Sequence, residues 1–185
     1  MNTMIKLFKH SAITLLVIIL LAFGFIYSGI YPIGADKQHN ALTFWVLETL
    51  RTKSIARASK DIEVPPLDDP QFLLSGGADY NDMCAGCHLQ PGKTESDMTI
   101  GLYPKPPNLT LAAEEHGHSH DGGGHSDANT ISQQQFWVIK HGIMASGMAA
   151  FGPTHDDGRI WAMVAFLKKL PELTPLQYQI LTARQ

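Results

Sequence analysis

Strand patterning is missing from this chain. No run of alternating apolar and polar residues stands out between turn signals, and no segment repeats another. Cysteine is scarce, with two in 185 residues, both inside the pentapeptide CAGCH at 84–88. That excludes a disulfide framework and any zinc site built from two cysteine pairs. Charge is sparse too, at 17% of residues with a formal net charge of −3, so nothing in the composition calls for nucleic acid as a partner. The length admits one compact domain with attachments, not two large cores. Nothing resembles a separate catalytic apparatus. What is left is an all-α chain, a small helical domain carrying long loops.

The hydrophobic share is concentrated at the N-terminus. SAITLLVIILLAFGFIYSGIY, residues 11–31, contains no charged residue, and as a helix it extends roughly 31 Å, enough for a bilayer core. A cleaved leader has a shorter apolar core followed by a small-x-small site. The best such site, Ala22-Phe23-Gly24, lies inside the run with FIYSGIY still to come, which favours an uncleaved anchor. Lys6 and Lys9 place residues 1–10 in the cytoplasm and the rest on the far side, the periplasm if the host is a bacterium. The expected location is the inner membrane, crossed once.

Residues 32–68 form a connecting region. ALTFWVLETLRTKSIARAS, residues 41–59, has helical spacing of Leu42, Trp45, Val46 and Leu50, with Arg51, Lys53 and Arg57 towards its end. It reads as a juxtamembrane amphipathic helix that lies on lipid headgroups, docks on a partner or packs on the domain. DIEVPPLDDPQ follows as an extended proline-rich linker. The folded domain is placed at 69–172. Asp69 caps a helix with Pro70 in its first turn, leading to Cys84, with Gly76 and Gly77 weakening its middle. Residues 89–110 read as loops, and 114–129 form a low-complexity histidine-rich loop. A helix capped by Ser132 comes next, then the loop GMAAFGPTHDDG. A helix opened by acids, closed by Lys168 and Lys169 and stopped by Pro171 completes the domain. Residues 173–185 read as a C-terminal tail.

Three chemistries compete for CAGCH. A thioredoxin-like redox pair needs a βαβ setting that is absent, and a zinc site would have to recruit two distant histidines. C-x-x-C-H is also the attachment signature of haem c, with Cys84 and Cys87 forming thioethers to the vinyl groups and His88 binding iron on the proximal side. A second axial ligand is to be sought in IMASGMAAFG. Met148, in a glycine-bounded loop before the last helix, is the choice over Met144, which lies nearer the preceding helix. His141 and His155 read as solvated or locally hydrogen-bonded.

CAGCH, YPKPPNL, SGMAAFG and IWAMVAFLKKLP, in that order, resemble the landmarks of class I cytochromes c from Asp69 to about Leu170. With the anchor, the whole is similar to the membrane-bound, single-span monohaem cytochromes c of bacteria. The resemblance implies helices wrapped round one covalent haem, with the helix before the motif packed on the closing helix and Tyr80 and Trp161 in or near that contact. It also implies that the carbonyl of Pro106 or Pro107 accepts the proximal histidine's N–H. The histidine-rich loop departs from the basic family pattern.

Histidine with methionine fills both axial positions, which implies outer-sphere transfer of single electrons. The expected role is an electron carrier between membrane-bound or periplasmic redox proteins, not an enzyme. Two alternatives stand beside it. One is a haem c subunit of a larger membrane oxidoreductase. The other is copper, zinc or nickel handling by His116, His118, His120 and His125. From Asp61 to Gln185 fifteen Asp and Glu face seven Lys and Arg, a balance of −8, so a basic partner surface would attract this region.

Overall fold

The computed structural model of the chain describes residues 2–111 and 127–183, and every described element is helical. The chain divides into two units, 1–37 and 38–185.

The first unit is the helix α1, Asn2–Ser28. Its segment Met4–Ser28 has a mean hydropathy of 2.4 and is long and apolar enough to cross a membrane. The helix ends at Ser28, short of the expected limit at Tyr31, because Gly29 takes the left-handed backbone (φ 64°) that closes a helix. Among the described residues this is the one helix of that kind, and it is the membrane-anchoring helix.

The second unit begins with α2, Ala41–Ser59, whose limits coincide with the sequence reading; Asn40 caps it by accepting from Thr43 N. In α3, Pro70–Met83, Asp69 accepts from Gln71 N at 2.8 Å and Pro70 occupies the first turn. Then come α4, Ala85–His88; α5, Asp97–Gly101; α6, Ala128–His141; and α7, Asp157–Lys169. A 3-10 turn, Leu170–Glu172, and α8, Pro175–Thr182, end the described chain.

Three sequence expectations differ from this. The loop reading of 89–110 missed α5, which is closed by a reciprocal capping box between Ser96 and Thr99. The start of α6 lies at the Asp127 cap, five residues before the expected cap Ser132, and Ser132 instead donates from inside the helix to the Ala128 carbonyl. The stretch read as a tail contains α8, capped by Thr174 and Gln177, which buries Tyr178 and Thr182.

The core is organised by α7. Its residues from Ile160 to Leu167 are all buried, so this helix is covered on every side. α3 crosses it closely and α6 and α8 complete the packing, α8 against α3. The two glycines expected to weaken α3 are where its neighbours come closest, Gly76 to α7 and Gly77 to α8. A Cβ on Gly76 would lie 2.0 Å from the Ala162 carbonyl oxygen, and one on Gly77 2.8 Å from the Leu181 carbonyl oxygen. Helix propensity is given up there for backbone contact that any side chain would block.

Around the crossing, the Tyr80 ring lies 5.4 Å from Phe166 and 6.3 Å from Tyr178. Trp161 faces elsewhere, stacking on Phe136 of α6 at 4.1 Å. Asp79, buried on α3, accepts two hydrogen bonds from the Arg159 guanidinium of α7 at 2.6 and 2.7 Å. The bidentate pair compensates the carboxylate's desolvation and raises the Arg159 pKa further.

Gly76→Ala is expected to destabilise the protein by about 3 kcal/mol or more, because backbone, not a flexible side chain, stands in the way. Gly101→Ala, where an added Cβ meets nothing, is the matched control and should be close to neutral. Thermal unfolding of the two full-length variants, followed by circular dichroism, gives the comparison.

Candidate cofactor site

CAGCH occupies the corner between α3 and α4. Cys84 closes α3, its N–H donating to the Tyr80 carbonyl at 2.8 Å. The next turn starts at once, with Cys87 N and His88 N both donating to the Cys84 carbonyl at 3.0 and 2.8 Å. That single helical turn brings Cys84 and Cys87 to the same side of the chain. Leu89, with φ 71°, ends it. Both cysteines are half-buried and unbridged. Burial pushes the Cys84 thiol up to about 12, with Asp79 and Cys87 adding to the effect, so it is held neutral.

The imidazole of His88 is oriented by its neighbours. Its Nδ1 lies 2.9 Å from the Pro107 carbonyl oxygen. A carbonyl only accepts, so Nδ1 carries the proton and Nε2 presents its lone pair, the tautomer that a metal requires. Of the two prolines named by resemblance, the structure selects Pro107.

The peptide carbonyls of the motif are secured from several elements. Tyr80 donates its phenol to the Leu89 carbonyl at 2.7 Å and to that of His88 at 3.2 Å. Leu109 N donates to the His88 carbonyl at 3.2 Å, and Ser96 Oγ to that of Gly86 at 2.6 Å. Burial raises the Tyr80 pKa far above its ordinary value, which keeps the phenol a donor.

Met148 is carried by a loop clamped to the end of α6. Phe151 N donates to the Ile139 carbonyl at 3.0 Å and Gly152 N to that of Lys140 at 2.9 Å, while Ile143 N closes on the Met148 carbonyl at 3.1 Å. Two glycines allow the approach. Gly142, with φ 66°, has the Met148 carbonyl oxygen 2.7 Å from where a Cβ would stand, and Gly152 has the Lys140 carbonyl oxygen at 2.8 Å.

The two methionines separate clearly. Met148 is half-buried against the core, as is Cys84, whereas Met144 is 97% exposed. Gly147 borders Leu102, so the methionine loop meets the proline-rich loop that supplies Pro107. His141 is exposed beside Trp137, and His155 contacts Thr154 Oγ1 at 2.8 Å with its Nε2 buried.

These residues fit a covalently held haem. The thiols are unbridged and one turn apart, the imidazole is in the metal-binding tautomer, and a half-buried thioether is carried by a loop bordering the proline-rich one. His116, His118, His120 and His125, considered for copper, zinc or nickel, lie outside the described residues. Among the described residues no group of three or more His, Cys, Asp or Glu is placed to hold a metal ion.

The sequence reading missed Tyr80 as a donor to the motif, Ser96, Gly142 and the Asp79–Arg159 pair. Gly142 carried a signal, since a glycine after Lys-His at a helix end marks a C-cap. The others join residues whose contacts no spacing rule specifies.

An all-helical domain with this motif, attached to an apolar anchoring helix, is that of a membrane-anchored c-type cytochrome. Residues 72–167, just over half of the chain, match the family described as Cytochrome C oxidase, cbb3-type, subunit III, and the chain belongs to that family. The family implies covalently bound haem c and electron transfer through it. No curated protein and no solved structure matches the chain.

Tyr80→Phe should cost about 1–3 kcal/mol, because it strips the Leu89 carbonyl of a buried donor without opening a large cavity. Denaturant titration reads the loss. An unchanged midpoint would show that solvent replaces the phenol.

Proposed function

We propose that Cys84 and Cys87 hold one haem c through thioethers, with His88 Nε2 as proximal and Met148 Sδ as distal ligand. The observation that carries this reading is the hydrogen bond from His88 Nδ1 to the Pro107 carbonyl, which holds the ring and its tautomer ready for a metal. Bound haem supplies a one-electron ferric/ferrous couple. The chain's own residues orient it: α3 and α4 set the two thiols, Pro107 sets the imidazole, and the Gly142–Gly152 loop sets the thioether.

With His88 and Met148 holding the haem iron, no coordination site would remain for a substrate, and the chemistry supplied would be outer-sphere electron transfer. A soft thioether also favours the ferrous state relative to a second imidazole. The haem domain belongs on the periplasmic side of an inner membrane, because Lys6 and Lys9 precede the span. Its partners are membrane-bound or periplasmic redox proteins. The family match favours a second reading, in which the relay works as a subunit of an oxidase complex and substrate turnover belongs to another subunit.

Haem staining after denaturation tests the attachment, and it should be retained in the wild type and lost from a Cys84→Ala/Cys87→Ala variant. In the native ferric protein, a methionine-to-iron charge-transfer band should be present and should disappear in Met148→Ala, while Met144→Ala keeps it. Retention of the band in Met148→Ala sinks the distal assignment alone; loss of haem from the denatured wild type sinks the whole reading. Co-purification with oxidase subunits in mild detergent separates subunit from carrier.

A further inference from the structure

Among the described residues, α2 leaves one face without a protein partner. Its other face packs on α6, with Phe44, Glu48, Arg51 and Ile55 half-buried and Ser59 buried. Facing away are Leu42 (69% exposed), Trp45 (63%), Val46 (46%) and Leu50 (65%). Leu42, Val46, Leu50, Lys53 and Arg57 follow one another at spacings of four, four, three and four, so they form one stripe along the helix. The stripe is apolar in its first half and basic in its second.

The charges select the occupant. Glu48 pairs with Arg51, whereas Lys53 and Arg57, both exposed, form no ion pair among the described residues. Residues 61–185 carry a balance of −8, so an anionic surface repels most of this domain and attracts the α2 stripe. A protein groove closing over the stripe would desolvate two unpaired cations, while lipid phosphates neutralise them at the headgroup level. Trp45 is the aromatic type that favours the membrane–water interface. Residues 29–40 join α2 to the end of the span, a tether of at most about 40 Å.

We propose that α2 lies on the bilayer that α1 spans, with Leu42, Val46 and Leu50 in the interface and Lys53 and Arg57 on anionic lipid headgroups. This rests on α1 as the anchor. Its consequence for the cofactor site rests also on the haem reading above. The His39 and Phe44 rings lie 5.5 and 6.5 Å from Tyr103, in the stretch that leads to Pro107. Docking α2 therefore sets the orientation of the His88 pocket relative to the membrane.

The test uses full-length, haem-loaded protein, one copy per nanodisc, in phosphatidylcholine alone or with about one-third phosphatidylglycerol. An environment-sensitive fluorophore is placed on Val46→Cys, and for comparison on Leu176→Cys, an exposed apolar position of α8 (66%). In the anionic discs the label at 46 should shift to the blue and be quenched by brominated lipid, and the label at 176 should not. Lys53→Gln/Arg57→Gln should lower the docked-to-undocked ratio about 25-fold, from roughly fivefold per basic residue.

Equal behaviour at 46 and 176 overturns the proposal. So does shielding at 46 that appears only with co-purified oxidase subunits, or only with several copies per disc. The visible spectrum of the same samples reads the haem assignment independently. A normal spectrum with an unquenched label rejects lipid docking alone, and a quenched label without haem rejects the cofactor reading alone.

Discussion

The backbone contact between α3 and α7 is the constraint from which the domain follows. Two helices approach this closely only where one of them lacks a side chain; α3 supplies Gly76 against the α7 backbone, and Gly77 next to it against the Leu181 carbonyl of α8 and the Phe166 ring. α7 is apolar on all sides from Ile160 to Leu167, so it has to be enclosed; α3 and α6 pack on it, and α8, packed on α3, brings the Tyr178 ring to Phe166. Once α3 is set against α7, its last residues have a fixed address. Cys84 closes the helix, and the turn that follows inherits its direction.

Ties between parts distant in sequence make the corner a site. Tyr80 reaches from the core to the carbonyls of His88 and Leu89, Ser96 to that of Gly86, and the Pro107 carbonyl to the imidazole. The methionine loop hangs from the last carbonyls of α6 through two glycines. This is how a small domain can hold a large planar cofactor: covalent bonds retain it, and backbone hydrogen bonds fix the groups that address it.

Much of the fold was legible because its signals are local. Asp69 and Pro70 mark a helix start that depends on a few neighbouring residues, and the limits of α2 followed from the helical spacing of its apolar residues. The misreadings were of two kinds. Ser132, an ordinary cap residue, was read as the helix start, whereas the cap is Asp127, inside the stretch read as low-complexity to 129, and Ser132 belongs to the helix interior. In α8 the capping pair Thr174 and Gln177 was present but overlooked, because the stretch lay beyond the last landmark of the resemblance.

By itself, the sequence determined the chemistry available and the local elements that carry it: an apolar span, a pair of thiols and an imidazole in one turn, two methionines near a late loop, and caps that start helices. These depend on interactions within a few residues. Only the tertiary structure decided between Pro107 and Pro106, left Met148 half-buried while exposing Met144, paired Asp79 with Arg159, and turned the weakest helix formers of α3 into its closest contacts. Those outcomes require several helices to be in place at once. A carbonyl, a guanidinium or a missing Cβ has no partner until packing brings one to it.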